Sequence, residues 1–284
     1  MSVPLILDLD DSIGDIGLSD RLPLQHWQER LRFSCSRRDL QRFVEAIAPV
    51  LMATHGTVMM GSGDFHHLSL PLVELEARRR PLRVVVLDNH PDNMRFPFGV
   101  HCGSWVGRAA ALPGVVDVHV LGISSADAGS GHAWENQLGV LRNGRVHYWC
   151  VDVDTTWARR RGIAGIHDFD SPSMLVAEFV KRMRRDPTQI HFSIDKDVFS
   201  PEVVRTNWDQ GRFHLDDALT LISALKPHIV SSDITGEVSL YRYRSLFKRL
   251  LSRIDQQPEP APGEIDAWQR EQAEVNRQLI AALA

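Results

Sequence analysis

The 284-residue chain reads as an α/β protein, a three-layer α/β/α arrangement with a mostly parallel central sheet. Three observations carry that expectation. Short apolar, β-branched runs alternate with longer amphipathic segments, the pattern of strand–helix units. Several runs are apolar on both parities, as in VVVL at 84–87, which marks strands covered on both faces. Polar clusters follow the ends of four such runs: Asp64 after TVMM, Asp88 after VVVL, Asp195 after HFSI and Asp233 after IVSS. In open parallel sheets, ligands bind outside the carboxyl ends of the strands.

Taken in order, strands are expected over 5–9, 57–60, 82–87, 115–123, 145–151, 189–194 and 228–232. Helical patterns lie near 37–54, 68–79, 172–185, 214–226 and 240–254. A chain of this length can bury a full core, so residues 1–255 are read as one domain. QQPEPAPGE at 256–264 is proline-rich and polar, the composition of an extended connector. Over 265–284, Trp268, Gln272, Val275, Leu279 and Leu283 fall on one helical stripe. That stripe is expected to dock on apolar surface, within the subunit or across a homo-oligomer.

Composition narrows the class of protein. The hydrophobic fraction of 43% and charged fraction of 24% are those of a globular chain. A formal net charge of −4 gives no footprint for nucleic acid or an anionic membrane. Three cysteines without C-x-x-C spacing, Cys35, Cys102 and Cys150, read as reduced thiols. The start MSVPLILDLDDSIGD lacks a basic signal-peptide region. No apolar run approaches the ~20 residues that span a bilayer. A soluble, cytoplasmic protein is expected.

Two acidic motifs carry the chemistry. In LDNHPDNM at 87–94, Asp88, His90 and Asp92 stand at i, i+2 and i+4; an extended segment would project them to one side, and Pro91 favours extension at His90. In SIDKDVF at 193–199, Asp195 and Asp197 again share a parity. Four converging carboxylates repel one another unless a cation neutralises them. With imidazoles beside them they suit Mn²⁺ or a similar ion better than a thiolate-preferring metal. Either motif alone is usually a solvated loop or a turn; both at strand ends favour metal. A third cluster, GSGDFHHLSL at 61–70, has glycines for a tight turn and a histidine pair at the start of a helix.

These three clusters, GDFHH, DNHPD and SIDKD, resemble the ordered motifs G-G-D-H-S, D-A-H-x-D and S-x-D-x-D of the ureohydrolase family of arginases, agmatinases and formiminoglutamases. The resemblance implies an arginase-like fold holding two divalent ions, with manganese expected. It implies Asp88 and Asp195 as bridging ligands, Asp92 with His66 or His67 completing one ion, and His90 with Asp197 completing the other. Phe65 interrupts the first motif. Aligning the apolar pattern of HHLSL favours His66, with His67 as the alternative. The resemblance also implies catalytic roles for His101, as a proton relay of near-neutral pKa, and for Asp197, as a hydrogen-bond partner of the intermediate. Cys102 beside His101 has no activating partner and reads as inert.

In SDITGEVS at 232–239, the resemblance implies Glu237 as the candidate for pairing with a substrate guanidinium and Asp233 for supporting the site from behind, with structural capping the alternative for either. The implied reaction is hydrolysis of a C–N bond in a small cationic guanidino- or amidino-type substrate by metal-activated hydroxide. Two departures from the family pattern tell against arginine itself. Met94 stands where arginases carry an asparagine, with Asn93 one residue early. The segment after SIDKD keeps only Pro201 and Gly211 of its usual residues. Trp208, Phe96 and Phe98 instead offer aromatic faces near the site.

Three other readings compete. A metallophosphoesterase would need late G-H-x-H histidines, which the sequence lacks. A catalytically altered, metal-binding family member is a non-enzymatic alternative. The N-terminal LILDLDDS, with Asp8 and Asp10, echoes haloacid-dehalogenase phosphatases without their later motifs, and a surface turn is expected there.

Overall fold

The computed structural model describes residues 3–246, 248, 249, 252 and 263–284. Its strands are β1 (Leu5–Asp8), β2 (Asp20–Pro23), β3 (Ser34–Cys35), β4 (Val58–Met59), β5 (Leu82–Leu87), β6 (Val100–His101), β7 (Val115–Ile123), β8 (Val146–Val151), β9 (Ile166–Phe169), β10 (Gln189–Asp195) and β11 (Ile229–Thr235). The helices are α1 (Gln28–Leu31), α2 (Arg37–Leu51), α3 (Ser69–Ala77), α4 (Val106–Ala110), α5 (Leu138–Arg142), α6 (Thr156–Arg160), α7 (Pro172–Met183), α8 (Leu215–Leu225) and α9 (Ile265–Leu283). Nine strands form one sheet in the order β2-β1-β4-β11-β10-β5-β7-β8-β9. Every pairing within it is parallel. β3 and β6 form a separate antiparallel pair.

Strand alternation sends side chains to two helical layers. Val84 and Val86 of β5, Val118 and Val120 of β7, and Tyr148 of β8 pack with α2, α3 and α4. Val85 and Leu87, Leu121 and Trp149 face the opposite way, onto α7, α8 and α9. All six residues of β5 are buried, as two-sided coverage requires. Helix starts follow local chemistry: Ser36 caps α2 by accepting from the Asp39 N–H, and Ser171 caps α7 with Pro172 in its first turn.

The three-layer, parallel expectation holds, and most strands and helices lie within a few residues of where the sequence places them. β2 and β9 were not anticipated, because DRLP and IHDF are too polar to read as strands. Of the expected 240–254 helix, residues 240–245 are not helical and 246, 248, 249 and 252 are, while the remaining positions and most of the 256–264 connector lie outside the described residues. The N-terminal acidic run is not a surface turn. Asp8 ends an interior strand, and Asp10 Oδ2 lies 3.3 Å from Arg32 Nη1 with both side chains almost fully buried. Arg32 Nε also donates to Asp64 Oδ2 at 2.6 Å, so Asp64 is drawn to an arginine rather than to the strand ends. No described helix is long and apolar enough to cross a membrane.

Candidate metal centre

Asp88 stands one residue past β5 and Asp195 closes β10, the adjacent strand, so two carboxylates leave the carboxyl edge side by side. Both are almost completely buried. Two sets of potential ligands meet here, His66–Asp88–Asp92 and Asp88–His90–Asp197, with Asp88 common to both. In the first, His66 Nδ1 lies 2.9 Å from Asp92 Oδ2, 3.2 Å from Asp88 Oδ2 and 3.5 Å from Asp195 Oδ2. In the second, His90 Nδ1 lies 2.9 Å from Asp197 Oδ2 and 3.6 Å from Asp88 Oδ1.

Convergence is not achieved by extended alternation, as the sequence spacing suggests. Asp92 takes a left-handed backbone, φ 45°, uncommon for a residue with a side chain and a place where strain is stored. The turn swings its carboxylate back toward His66, where the Trp105 indole N–H donates to Oδ2 at 2.8 Å. Asp197 likewise leaves the strand in a 3-10 turn over Lys196–Val198, and its N–H donates to Asp195 Oδ1.

The inserted Phe65 is absorbed by a 3-10 segment, Gly63–Leu68. At three residues per turn, successive side chains diverge by ~120°. His66 therefore points to the carboxylates, while His67, equally buried, joins neither ligand set. Gly63 is needed for close approach: a Cβ there would lie 2.9 Å from Asp195 Oδ2 and 3.2 Å from the Trp208 ring.

A second ring of side chains orients these groups. His66 Nε2 lies 3.0 Å from Ser193 Oγ. The Ser193 and Ser69 hydroxyls donate to Asp233 Oδ1, and His191 Nε2 lies 2.7 Å from Asp233 Oδ2. Asp233 thus sits behind the cluster. His191 and Ser193 share the parity of Asp195 on β10, a signal the sequence reading passed over. On the other side, His90 Nε2 lies 2.7 Å from Asp209 Oδ1. Asp209 is in the rewritten loop, and no spacing pointed to it.

The electrostatics favour a cation. Burial and then the Asp88 charge push Asp92 up to about 7. Burial, with Asp195 and Asp88 beside it, raises Asp197 well above the usual carboxylate range. Burial also opposes charge on Asp88, but bonds to His66 and His90 hold its carboxyl low. Asp88 Oδ2 nevertheless accepts no well-formed hydrogen bond. Four buried carboxylates against two imidazoles leave negative charge uncompensated, and this oxygen-rich donor set fits divalent ions of the manganese kind.

A third cluster, Asp117, His119 and His147, also has ligand-type atoms close together, but it lies on the amino-terminal half of β7 and β8. There Asp117 is gripped by Arg83 through bonds of 2.6 and 2.9 Å. The two imidazoles stack at 4.6 Å, 12° from parallel.

Above the carboxylate cluster opens a cavity of about 640 Å³, lined in part by Phe33, Met94, Phe96, Phe98, His101 and Trp208. Asp127, Glu135 and Asp209 bring acid to its wall, and Arg95 and His132 bring base. Trp208 lies parallel to Phe33 at 6.3 Å and edge-on to His90 at 5.7 Å.

A profile of the arginase family matches residues 13–239, which contain every residue of this cluster. The chain belongs to the arginase family. A Thermotoga maritima relative described only as an uncharacterized protein is 27% identical over 195 residues, 68% of this chain and 63% of that one. The match thus spans somewhat less than two thirds of that relative. Arginase from Bacillus subtilis superposes with a TM-score of 0.59 at 12% identity, covering 100% of this chain and 98% of that one. Agmatine ureohydrolase of Thermoplasma volcanium gives 0.57 at 14% identity, covering 99% and 89%. At such identities the likeness is one of fold.

Two of the expected residues, Glu237 and His101, have other partners in the structure. Glu237 is fully buried and is not among the cavity-lining residues. Its Oε1 accepts from Lys196 Nζ and, at 2.7 Å, from Asn276 Nδ2, so it is committed to an internal lysine rather than offered to a substrate cation. His101 does line the cavity, but burial pushes its pKa down to about 4, and its Nδ1 accepts from the Gly103 N–H at 2.9 Å. That bond leaves Nε2 as the nitrogen that carries the proton in the neutral ring.

Proposed function

We propose that this arginase-family chain is a two-ion hydrolase that cleaves a C–N bond of a cationic guanidino- or amidino-type substrate, with manganese as its metal. The observation that carries the reading is Asp88: one buried carboxylate belongs to both ligand sets, and both open onto one cavity. His66, Asp92, Asp88 and Asp195 would hold one ion, and His90, Asp197, Asp88 and Asp195 the other. When bound, the pair supplies Lewis acidity, lowering the pKa of water from 15.7 toward ~7.

The protein's own groups would do the rest. Asp209 and Ser193 orient the two imidazoles through their second nitrogens, a bond that fixes tautomer and ring angle. Asp197, its Oδ1 accepting from the Asn89 N–H at 3.0 Å and its Oδ2 facing His90 Nδ1 at 2.9 Å, is held where it would hydrogen-bond the intermediate. His101 offers a hydrogen bond from neutral Nε2 rather than a proton.

Substrate choice follows from the cavity wall. Asn93 borders the cavity, but its buried side-chain amide is engaged by the Tyr148 hydroxyl, to which it donates at 2.8 Å. Met94 and the Phe33, Phe96 and Trp208 rings present apolar and aromatic faces instead. With Asp127, Glu135 and Asp209 on the same wall, a cation carrying an apolar body is the best match. The test is turnover by manganese-loaded protein on arginine, agmatine, guanidinobutyrate, formiminoglutamate and p-nitrophenyl phosphate. Urea or ammonia release from a substrate without an α-amino acid is expected. Efficient arginine cleavage would sink the specificity, and phosphate release alone would make the protein a phosphoesterase.

A further inference from the structure

Helix α9 lies beyond the residues matched by the family profile, yet its most buried side chains are not all apolar. Gln272 and Asn276 are both 0% exposed. Burying an amide is costly unless its hydrogen bonds are made; here both amide nitrogens donate, and of the two amide oxygens only Gln272 Oε1 lacks a partner. Gln269 and Gln272 donate to the carbonyls of Val238 and Gly236 at 3.0 Å each. Gln272 also donates to the Arg205 carbonyl at 2.6 Å. Asn276 accepts from Lys196 Nζ at 2.9 Å and donates to Glu237 Oε1 at 2.7 Å. Residues 269, 272 and 276 sit at i, i+3 and i+7, a single face of the helix.

That face is joined to the carboxylate cluster through one residue. Lys196 stands between Asp195 and Asp197, fully buried, and its side chain runs away from them to Glu237. The backbone at Gly236 presses against the same turn: a Cβ there would lie 2.6 Å from both Asp195 Oδ1 and Lys196 N. Only a residue without a side chain permits the contact, at φ 94°. Whatever fixes Lys196 and Glu237 therefore fixes the turn that aims Asp195 and Asp197. A buried ion pair holds its geometry only when further hydrogen bonds satisfy both charges, and Asn276 bonds to each.

We propose that Asn276 is a positioning residue for the metal centre: bridging Lys196 and Glu237, it locks the Asp195–Asp197 turn and so tightens the binding of divalent ions. The inference rests on the two-ion reading above. The test is isothermal titration of the full chain with Mn²⁺, together with thermal melting of the metal-free form. Asn276→Ala should weaken Mn²⁺ binding at least tenfold and perturb the Mn²⁺ electron paramagnetic resonance spectrum. Val275→Ala, which removes neighbouring apolar contacts but touches neither Lys196 nor Glu237, should lower the melting temperature while keeping wild-type affinity. Asn276→Asp conserves volume and the Lys196 bond but loses the donation to Glu237. It should fold and bind Mn²⁺ several-fold more weakly. Wild-type affinity in both Asn276 variants would overturn the inference and leave the two-ion reading intact. So would affinity losses in Asn276→Ala and Val275→Ala that simply track their melting temperatures. Absence of Mn²⁺ binding by the wild-type chain would overturn both.

Discussion

Aspartate–histidine clusters occupy both ends of the sheet, and they answer to opposite chemistries. At the carboxyl end, burial works against charge on every group. Bonds to Asp88 and Asp92 nonetheless raise His66 well above its ordinary range, and Asp197 does the same for His90. In the amino-terminal half, burial lowers His119, His147 (to about 4) and His167. Asp117 resists burial because His119 and Arg83 hold its carboxyl down. The residue types are the same; the ratio of acid to base is not. One carboxylate already matched by an arginine leaves little charge for a cation, whereas four carboxylates around two imidazoles favour one.

The largest expected effect separates the two clusters outright. Asp88→Ala should abolish binding of both ions, measured by elemental analysis after manganese loading, because both ligand sets lose a member. Asp117→Ala should leave the manganese content unchanged. Full metal in Asp88→Ala, or metal lost with Asp117→Ala, would erase the distinction.

Within the carboxyl-end cluster, His66→Ala should lose one ion while His67→Ala retains two, provided the latter folds. The opposite pattern would transfer the ligand role to His67. A smaller effect is expected at Asp209. Because it meets His90 at the far nitrogen while also accepting from Asn89 Nδ2, Asp209→Asn should weaken one ion by about 10–100-fold, read by titration calorimetry. An unchanged binding curve would reduce Asp209 to a loop residue.

The smallest effect tests the amino-half column. His119, His147 and His167 are neutral in the fold, with pKa values below the ~6.5 of an unfolded histidine. Between that value and their folded values, the unfolded chain binds more protons, so stability falls as pH drops. The melting temperature should decline from pH 7 to pH 5, and His147→Gln should decline less over that range. Equal slopes would mean that the stacked rings carry no such linkage.

Much of the carboxylate cluster was legible because its residues sit beside strand ends. Asp88, His90, Asp92, Asp195 and Asp197 lie within a few residues of apolar runs whose meaning a period of two makes plain. The supporting residues were legible unevenly. His191 and Ser193 could have been read from parity with Asp195, while Trp105 and Asp209 reach the cluster from elements that no local pattern ties to it. Glu237 shows the same limit. Its place after β11 suggested an inward-facing acid, but its partner, Lys196, lies 41 positions away in sequence, and its second partner lies on a helix beyond the family match.

The sequence by itself determined the layered α/β architecture and the set of residues at the strand ends, since both follow from short-range periodicity in apolar and acidic side chains. Only the tertiary structure decided that His66 joins the cluster, because a 3-10 turn rather than an α-helix follows Gly63. It decided too that Asp92 closes the site through a left-handed backbone, and that Glu237 is spent on Lys196. Each of these depends on which distant group satisfies a buried charge or hydrogen bond, and that pairing is made by packing, not by spacing.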